Sequence, residues 1–129
     1  IIKNNKISKT IIFYNRANES KIKLFKKRRI KIYKIPVNIN GDLDLKKALL
    51  KARKLGFYRI FLESGIKLSN SFLKENLVND LKIFISTNKL NNMGKGSIKK
   101  YFKNFLNKKR CNVEKVNLFG EKLITYKIK

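Results

Sequence analysis

Short apolar runs alternate along this chain with stretches whose apolar residues recur every three or four positions. Residues 10–14, Thr-Ile-Ile-Phe-Tyr, are β-branched and aromatic and read as a buried strand ending at Asn15. Asn18 is a candidate cap for a short basic helix reaching about Arg29, with Ile22 and Phe25 as its inward positions. Residues 30–35 are the next strand, stopped by Pro36, which has no N–H for a ladder. A loop then runs to Asp44, with Gly41-Asp42 as its turn signal.

The clearest helix starts at Asp44 as N-cap. Leu45, Ala48, Leu49, Ala52 and Leu55 share its inner face, while Lys46, Lys47, Lys51, Arg53 and Lys54 face water. Gly56 closes it at the position that favours a left-handed residue. Residues 59–63 follow with three consecutive apolar side chains, the pattern of a parallel interior strand covered on both faces. A helix is expected to open near Ser69, with Leu68 stapled onto Phe72 and the face continued by Leu73 and Leu77. Residues 81–85 form a fourth strand, 87–96 a polar loop, and Ile98, Tyr101, Phe102, Phe105 and Leu106 an apolar stripe at helical spacing. Strands at about 112–119 and 122–128 flank Gly120-Glu121 as a hairpin.

Strand–helix alternation through Ile85 implies right-handed crossovers. The expected class is α/β: a mixed, mostly parallel sheet with flanking helices and a C-terminal antiparallel hairpin. The 129 residues are expected to form one domain. No run approaches the roughly 20 apolar residues of a membrane span. A soluble, cytoplasmic protein without a membrane partner is therefore expected. The chain begins at Ile1 with no signal-peptide pattern, which suggests the distal part of a longer sequence.

Charge changes the picture least, although it is the most conspicuous feature. Against 33 Lys and Arg stand 8 Asp and Glu, a net +25. Such a balance ordinarily points to nucleic acid. Yet Lys, Asn and Ile together supply 60 of the 129 residues, and these three share AT-rich codons, so compositional drift yields the same excess. Arginine, which forms the bidentate contacts to phosphate and bases, occurs only six times. The lysines are spread through every segment, and Phe13, Phe61, Phe72, Phe84, Phe102 and Phe105 all fall on expected inward positions. A solvated lysine surface is therefore the preferred reading over a nucleic-acid interface.

Candidate chemistry is narrowed by what is missing. With no histidine and one cysteine, Cys111, Ser-His and Cys-His pairs and the usual zinc sites cannot be assembled, and no metal site is expected. Asp42 and Asp44 are explained as a turn residue and a helix cap. Gly94-Lys95-Gly96-Ser97 fails the spacing of a Walker A loop. In open α/β sheets ligands bind beyond the carboxyl ends of strands. That selects Glu63-Ser64-Gly65. Gly65 admits a sharp turn or a close approach, and the following amides, the Ser69 and Ser71 hydroxyls and the Asn70 amide could hold a phosphate at a positive helix end. The plainer alternative is Glu63 paired with a surface lysine and Ser64-Gly65 as a mere turn.

Leu-Asp-Leu-Lys-Lys-Ala-Leu-Leu at 43–50, Lys-Leu-Gly-Phe-Tyr-Arg-Ile-Phe-Leu-Glu-Ser-Gly at 54–65, Lys-Leu-Ser-Asn-Ser-Phe-Leu at 67–73 and Asn-Leu-Val-Asn-Asp-Leu-Lys-Ile-Phe-Ile-Ser at 76–86 carry a resemblance. They resemble the C-terminal reductase domain of the bifunctional riboflavin-biosynthesis deaminase/reductase, and residues 117–123 are similar to its final hairpin. The resemblance implies a dihydrofolate-reductase-like fold, NADPH as cofactor, and reduction of 5-amino-6-(5-phosphoribosylamino)uracil to its ribityl counterpart. It places Glu63 on the substrate-contacting carboxylate, and Gly65, Ile66, Lys67, Leu68, Ser69, Asn70 and Ser71 on the cofactor-phosphate loop. Ser64 stands where the family usually has glycine or alanine, and Asn79-Asp80 replaces Asp-Glu, which puts a second carboxylate role in doubt.

The resemblance implies that the family's domain begins with strands expected to lie upstream of Ile1, so reductase activity of these 129 residues alone is expected to be little or none. Partners implied are a small phosphorylated pyrimidine and, for a sheet with open edges, a second copy of the chain. Two other readings stay open: a basic nucleic-acid-binding module, and a dihydrofolate-reductase-like enzyme for another pterin or pyrimidine, against which Glu63 argues.

Overall fold

A computed structural model describes residues 9–87, 102, 105–107, 109–117 and 119–129. The chain divides into two compact units, Ile1–Ile60 and Phe61–Lys129.

In the first unit, β1 (Ile11–Tyr14), α1 (Glu19–Lys27) and β2 (Lys31–Lys34) form a βαβ crossover, since parallel strands need a connection long enough to return. β1 and β2 pair parallel from Ile11 opposite Lys31 to Tyr14 opposite Lys34. Asn18 caps α1, its Oδ1 accepting from the Lys21 N–H at 2.9 Å. The helix ends in a Schellman turn: the Ile30 N–H donates to the Phe25 carbonyl at 3.0 Å and the Arg29 N–H to that of Lys26 at 2.9 Å. Arg29 takes the left-handed position, φ 56°. Ile30 and Ile35 are buried at either end of β2. Past the strand, Asn15 Nδ2 donates to the Ile35 carbonyl at 3.0 Å, just before Pro36.

Helix α2 (Leu45–Lys54) behaves as its pattern demands. Asp44 accepts from the Lys47 N–H at 2.9 Å, Ala52 is buried, and Leu45, Ala48, Leu49 and Leu55 are half-buried. Lys51 departs from the expectation that it faces water: its Nζ lies 4.2 Å from the centroid of the Tyr33 ring, a cation–π contact, and that ring meets Phe13 at 6.3 Å. A second Schellman turn ends α2, with the Phe57 N–H on the Ala52 carbonyl at 3.1 Å and Gly56 at φ +93°. A Cβ added at Gly56 would meet nothing within 4 Å. Its substitution therefore isolates the backbone cost. Gly56→Ala should lower stability by about 1–2 kcal/mol, read from the urea midpoint of unfolding.

In the second unit, α3 (Ile66–Lys74) precedes a three-stranded antiparallel sheet in the order β3 (Asp80–Ile85), β5 (Lys122–Lys127), β4 (Cys111–Lys115). Asp80 stands opposite Lys127 in register, and their side chains form an ion pair at 2.7 Å. Leu81, Ile83, Ile124 and Tyr126 share the half-buried face. Leu73 and the helical residue Phe102 are buried, with Phe105 and Leu106 half-buried beside Phe102 in sequence. The hairpin from β4 to β5 turns around Asn117. Its Oδ1 accepts from the Phe119 and Glu121 N–H groups, and its Nδ2 donates to Glu121 Oε2 at 2.6 Å.

The α/β class, the parallel pairing across a helix and the C-terminal antiparallel hairpin are as expected. Parallel pairing among the described residues joins β1 to β2, whereas β3 runs antiparallel to β5. Three local expectations need correction. Residues 59–63 form no strand, and Ile60 and Phe61 are 51% and 80% exposed. An apolar triplet encodes a preference for burial on both faces, but no described strand supplies the ladder to hold it. Phe84, expected inward, is 67% exposed because β3 alternation puts it on the face of Lys82, opposite Leu81 and Ile83. Helix α3 opens at Ile66 rather than near Ser69, because Gly65 itself takes the extended cap conformation. Of the expected stripe, Ile98 and Tyr101 lie outside the described residues, as do most of the loop at 87–96 and all of Gly94-Lys95-Gly96-Ser97.

Candidate functional site

The expected site lies wholly in the second unit, where an extended stretch through Leu62 and Glu63 enters α3. Gly65 is the N-cap, with φ −68° and ψ 167° and no side-chain hydrogen bond on the helix end. Any residue adopts that φ. The sharp turn that glycine was expected to permit is therefore not what the position needs. A Cβ there would meet nothing within 4 Å, so the chain's own packing does not require glycine either. Glycine is itself a favoured N-cap residue, and here it also leaves the backbone open to approach from outside the chain.

The earlier helix start moves the donors. The first intrahelical bond at this end runs from the Ser69 N–H to the Gly65 carbonyl at 3.2 Å. The amides of Ile66, Lys67 and Leu68 thus form the first turn, whose N–H groups have no acceptor within the helix. Together with the positive end of the helix dipole and the exposed Lys67 ammonium, they suit an anion. Of the hydroxyls, Ser64 Oγ and Ser69 Oγ bond each other at 2.9 Å, and Ser69 Oγ also reaches the Ser64 carbonyl at 3.5 Å. This clasp fixes the approach to the helix. Ser71 Oγ donates back to the Lys67 carbonyl at 3.2 Å, one turn inside.

Asn70 Oδ1 is buried and has no hydrogen-bond partner among the described residues. An orphaned acceptor costs free energy until a donor reaches it. Because Asn70 Oδ1 is closed to solvent, what the loop offers a ligand is the set of donors at its amides, which suit an anion.

Glu63 is exposed, and its carboxylate has no hydrogen bond or ion pair among the described residues. The plainer alternative, a pairing with a surface lysine, has no such partner in that set. The carboxylate is available to a ligand. Asp80, by contrast, is committed to Lys127, which leaves no second carboxylate for the site at that position. Asp44 caps α2 as expected, and Cys111 is an exposed thiol on β4. Among the described residues no group of three potential ligands could hold a metal ion, and no helix is long and apolar enough to cross a membrane.

Sequence reasoning missed the Ser64–Ser69 clasp and the hairpin network in which Glu121 Oε1 accepts from Ser86 Oγ at 3.5 Å. Neither spacing is a motif. A five-residue interval between serines becomes a contact only once the helix start is known.

Comparison with known proteins bears on what this arrangement serves. No curated protein matches the chain. Residues 1–124 match the family model described as the RibD C-terminal domain, so the chain belongs to this family of dihydrofolate-reductase-like, riboflavin-biosynthesis reductase domains.

Proposed function

We propose that this chain serves riboflavin biosynthesis as the NADPH-dependent reductase of 5-amino-6-(5-phosphoribosylamino)uracil, yielding the 5-phosphoribitylamino product. The observation that carries the reading is a helix end whose amides lack a side-chain cap, entered through a glycine with open space at its Cβ position and preceded by a carboxylate without a partner among the described residues. Residues 65–71 would hold the cofactor, with the Ile66, Lys67 and Leu68 amides on a phosphate. When bound, NADPH supplies the hydride, which is why the chain needs neither histidine nor metal. Glu63 would hold the sugar hydroxyls of the substrate and orient the opened chain. The +25 charge favours encounter with two phosphorylated ligands.

Titrating the protein with NADPH and NADH by fluorescence tests the cofactor assignment. Saturable binding of NADPH is expected, and its absence at millimolar concentration would remove the proposal. The same family fold could serve another pterin or pyrimidine. Glu63 favours a substrate with a polyhydroxylated chain, and turnover of the phosphoribosylamino substrate against a pterin separates the two.

One observation favours a second reading. Tyr58, next to Arg59, is 80% exposed, and an exposed aromatic beside a basic residue suits stacking on single-stranded nucleic acid. A salt titration with a homopolymer decides it. Under the reductase reading, binding is purely electrostatic, is lost as salt is raised, and shows no dependence on Tyr58→Ala.

A further inference from the structure

The loop before α2 contains the chain's single Asn-Gly pair, Asn40-Gly41. Both residues are exposed, the neighbouring Ile39 is fully so, and Gly41 sits at φ +78° with nothing within 4 Å of a Cβ built there. Asn40 uses its backbone N–H on Asn38 Oδ1 at 2.9 Å, while its side-chain amide has no hydrogen bond among the described residues. Asn38 organises the loop. Its Oδ1 also accepts from the Asp42 N–H at 3.1 Å, its carbonyl from the Gly41 N–H at 3.0 Å, and its own N–H donates to the Asp42 carbonyl at 2.8 Å.

We infer that Asn40-Gly41 is a site of spontaneous deamidation, restrained by Asn38. The Gly41 nitrogen, on losing its proton to solvent base, attacks Asn40 Cγ. A C–N bond forms, the side-chain amide leaves as ammonia, and a five-membered succinimide results. Water then opens either ring carbonyl to give aspartate or isoaspartate, with no oxidant or reductant involved. Glycine leaves the attacking nitrogen unhindered, and the open surroundings leave room for the ring. The Gly41 N–H bond to Asn38 must break first, so the rate follows local opening of the turn.

The product has a structural consequence. Isoaspartate carries the main chain through the side-chain methylene and lengthens it inside a turn closed by the Val37–Leu43 bridge. The same turn places Asp44, whose N–H donates to the Pro36 carbonyl at 3.0 Å and whose side chain caps α2. Conversion therefore loosens the start of that helix.

The test is ageing of the folded chain at mildly alkaline pH, followed by peptide mapping for the mass gain of amide-to-acid exchange and for isoaspartate. Asn40 should convert ahead of the exposed Asn112 and Asn117. Asn38→Ala, which removes two accepted bonds, should speed the reaction roughly tenfold. Asn38→Asp keeps both acceptors and should match the wild-type rate, and Asn40→Gln, which can form only a six-membered ring, should give no product at this position. Conversion at Asn40 no faster than at Asn112 and Asn117 would overturn the site. Equal acceleration in Asn38→Ala and Asn38→Asp would overturn the restraint.

Discussion

Glu63→Gln in the reductase is expected to reduce kcat/KM for the phosphoribosylamino substrate by roughly ten- to a hundredfold, the worth of a hydrogen bond to a charged group. The substitution keeps size and hydrogen-bonding geometry while removing the charge. Because Glu63 is exposed and has no partner among the described residues, the folded state should change by no more than about 0.5 kcal/mol. Activity and stability are thus separable at this position. NADPH affinity, read by fluorescence, should stay at the wild-type value, since the proposal assigns the cofactor to residues 65–71. A rise in KM with kcat unchanged would mark Glu63 as a substrate-holding group, whereas an equal fall in kcat and kcat/KM would mark a contact made in the transition state. Unchanged turnover and substrate affinity would take Glu63 out of the site.

The helix ends were legible in the sequence wherever a side chain makes the cap. Asn18 and Asp44 carry their identity as caps in residue type and position, because the physics is local: one oxygen, one N–H three residues on. The start of α3 was not legible for the complementary reason. Gly65 caps by backbone conformation alone, and its serines at 69 and 71 look like caps while serving a clasp and a bond to the preceding turn.

Strand pairing was less accessible still. Residues 59–63 and β3 both read as apolar runs, yet only β3 has a ladder partner, and that partner lies about forty residues downstream in β5. Local composition records how much a segment gains from burial, not which segment comes to lie beside it. The candidate site was selected by the strand-end rule, whose strand does not form at residues 59–63; what stands there is a non-regular segment leading into the uncapped N-terminus of α3.

Gly65→Asp sets the cap and the site against each other. As a cap, aspartate outranks glycine, and its charge at the helix N-terminus is favourable, so the fold should gain a few tenths to about 1 kcal/mol. At a phosphate site the same carboxylate is repulsive: two unit charges about 4 Å apart interact by about 4 kcal/mol at an effective dielectric of 20. NADPH affinity should therefore fall more than a hundredfold while the unfolding midpoint rises. Gly65→Asn supplies the cap without the charge and separates repulsion from bulk. If asparagine weakens binding as much as aspartate, a Cβ at this position is what obstructs the ligand, and the glycine is there to let it approach. If asparagine binds like wild type and aspartate does not, the amides of the first turn hold the anion and glycine serves only to keep a competing carboxylate away. Wild-type affinity in both variants would remove the α3 N-terminus from the cofactor site.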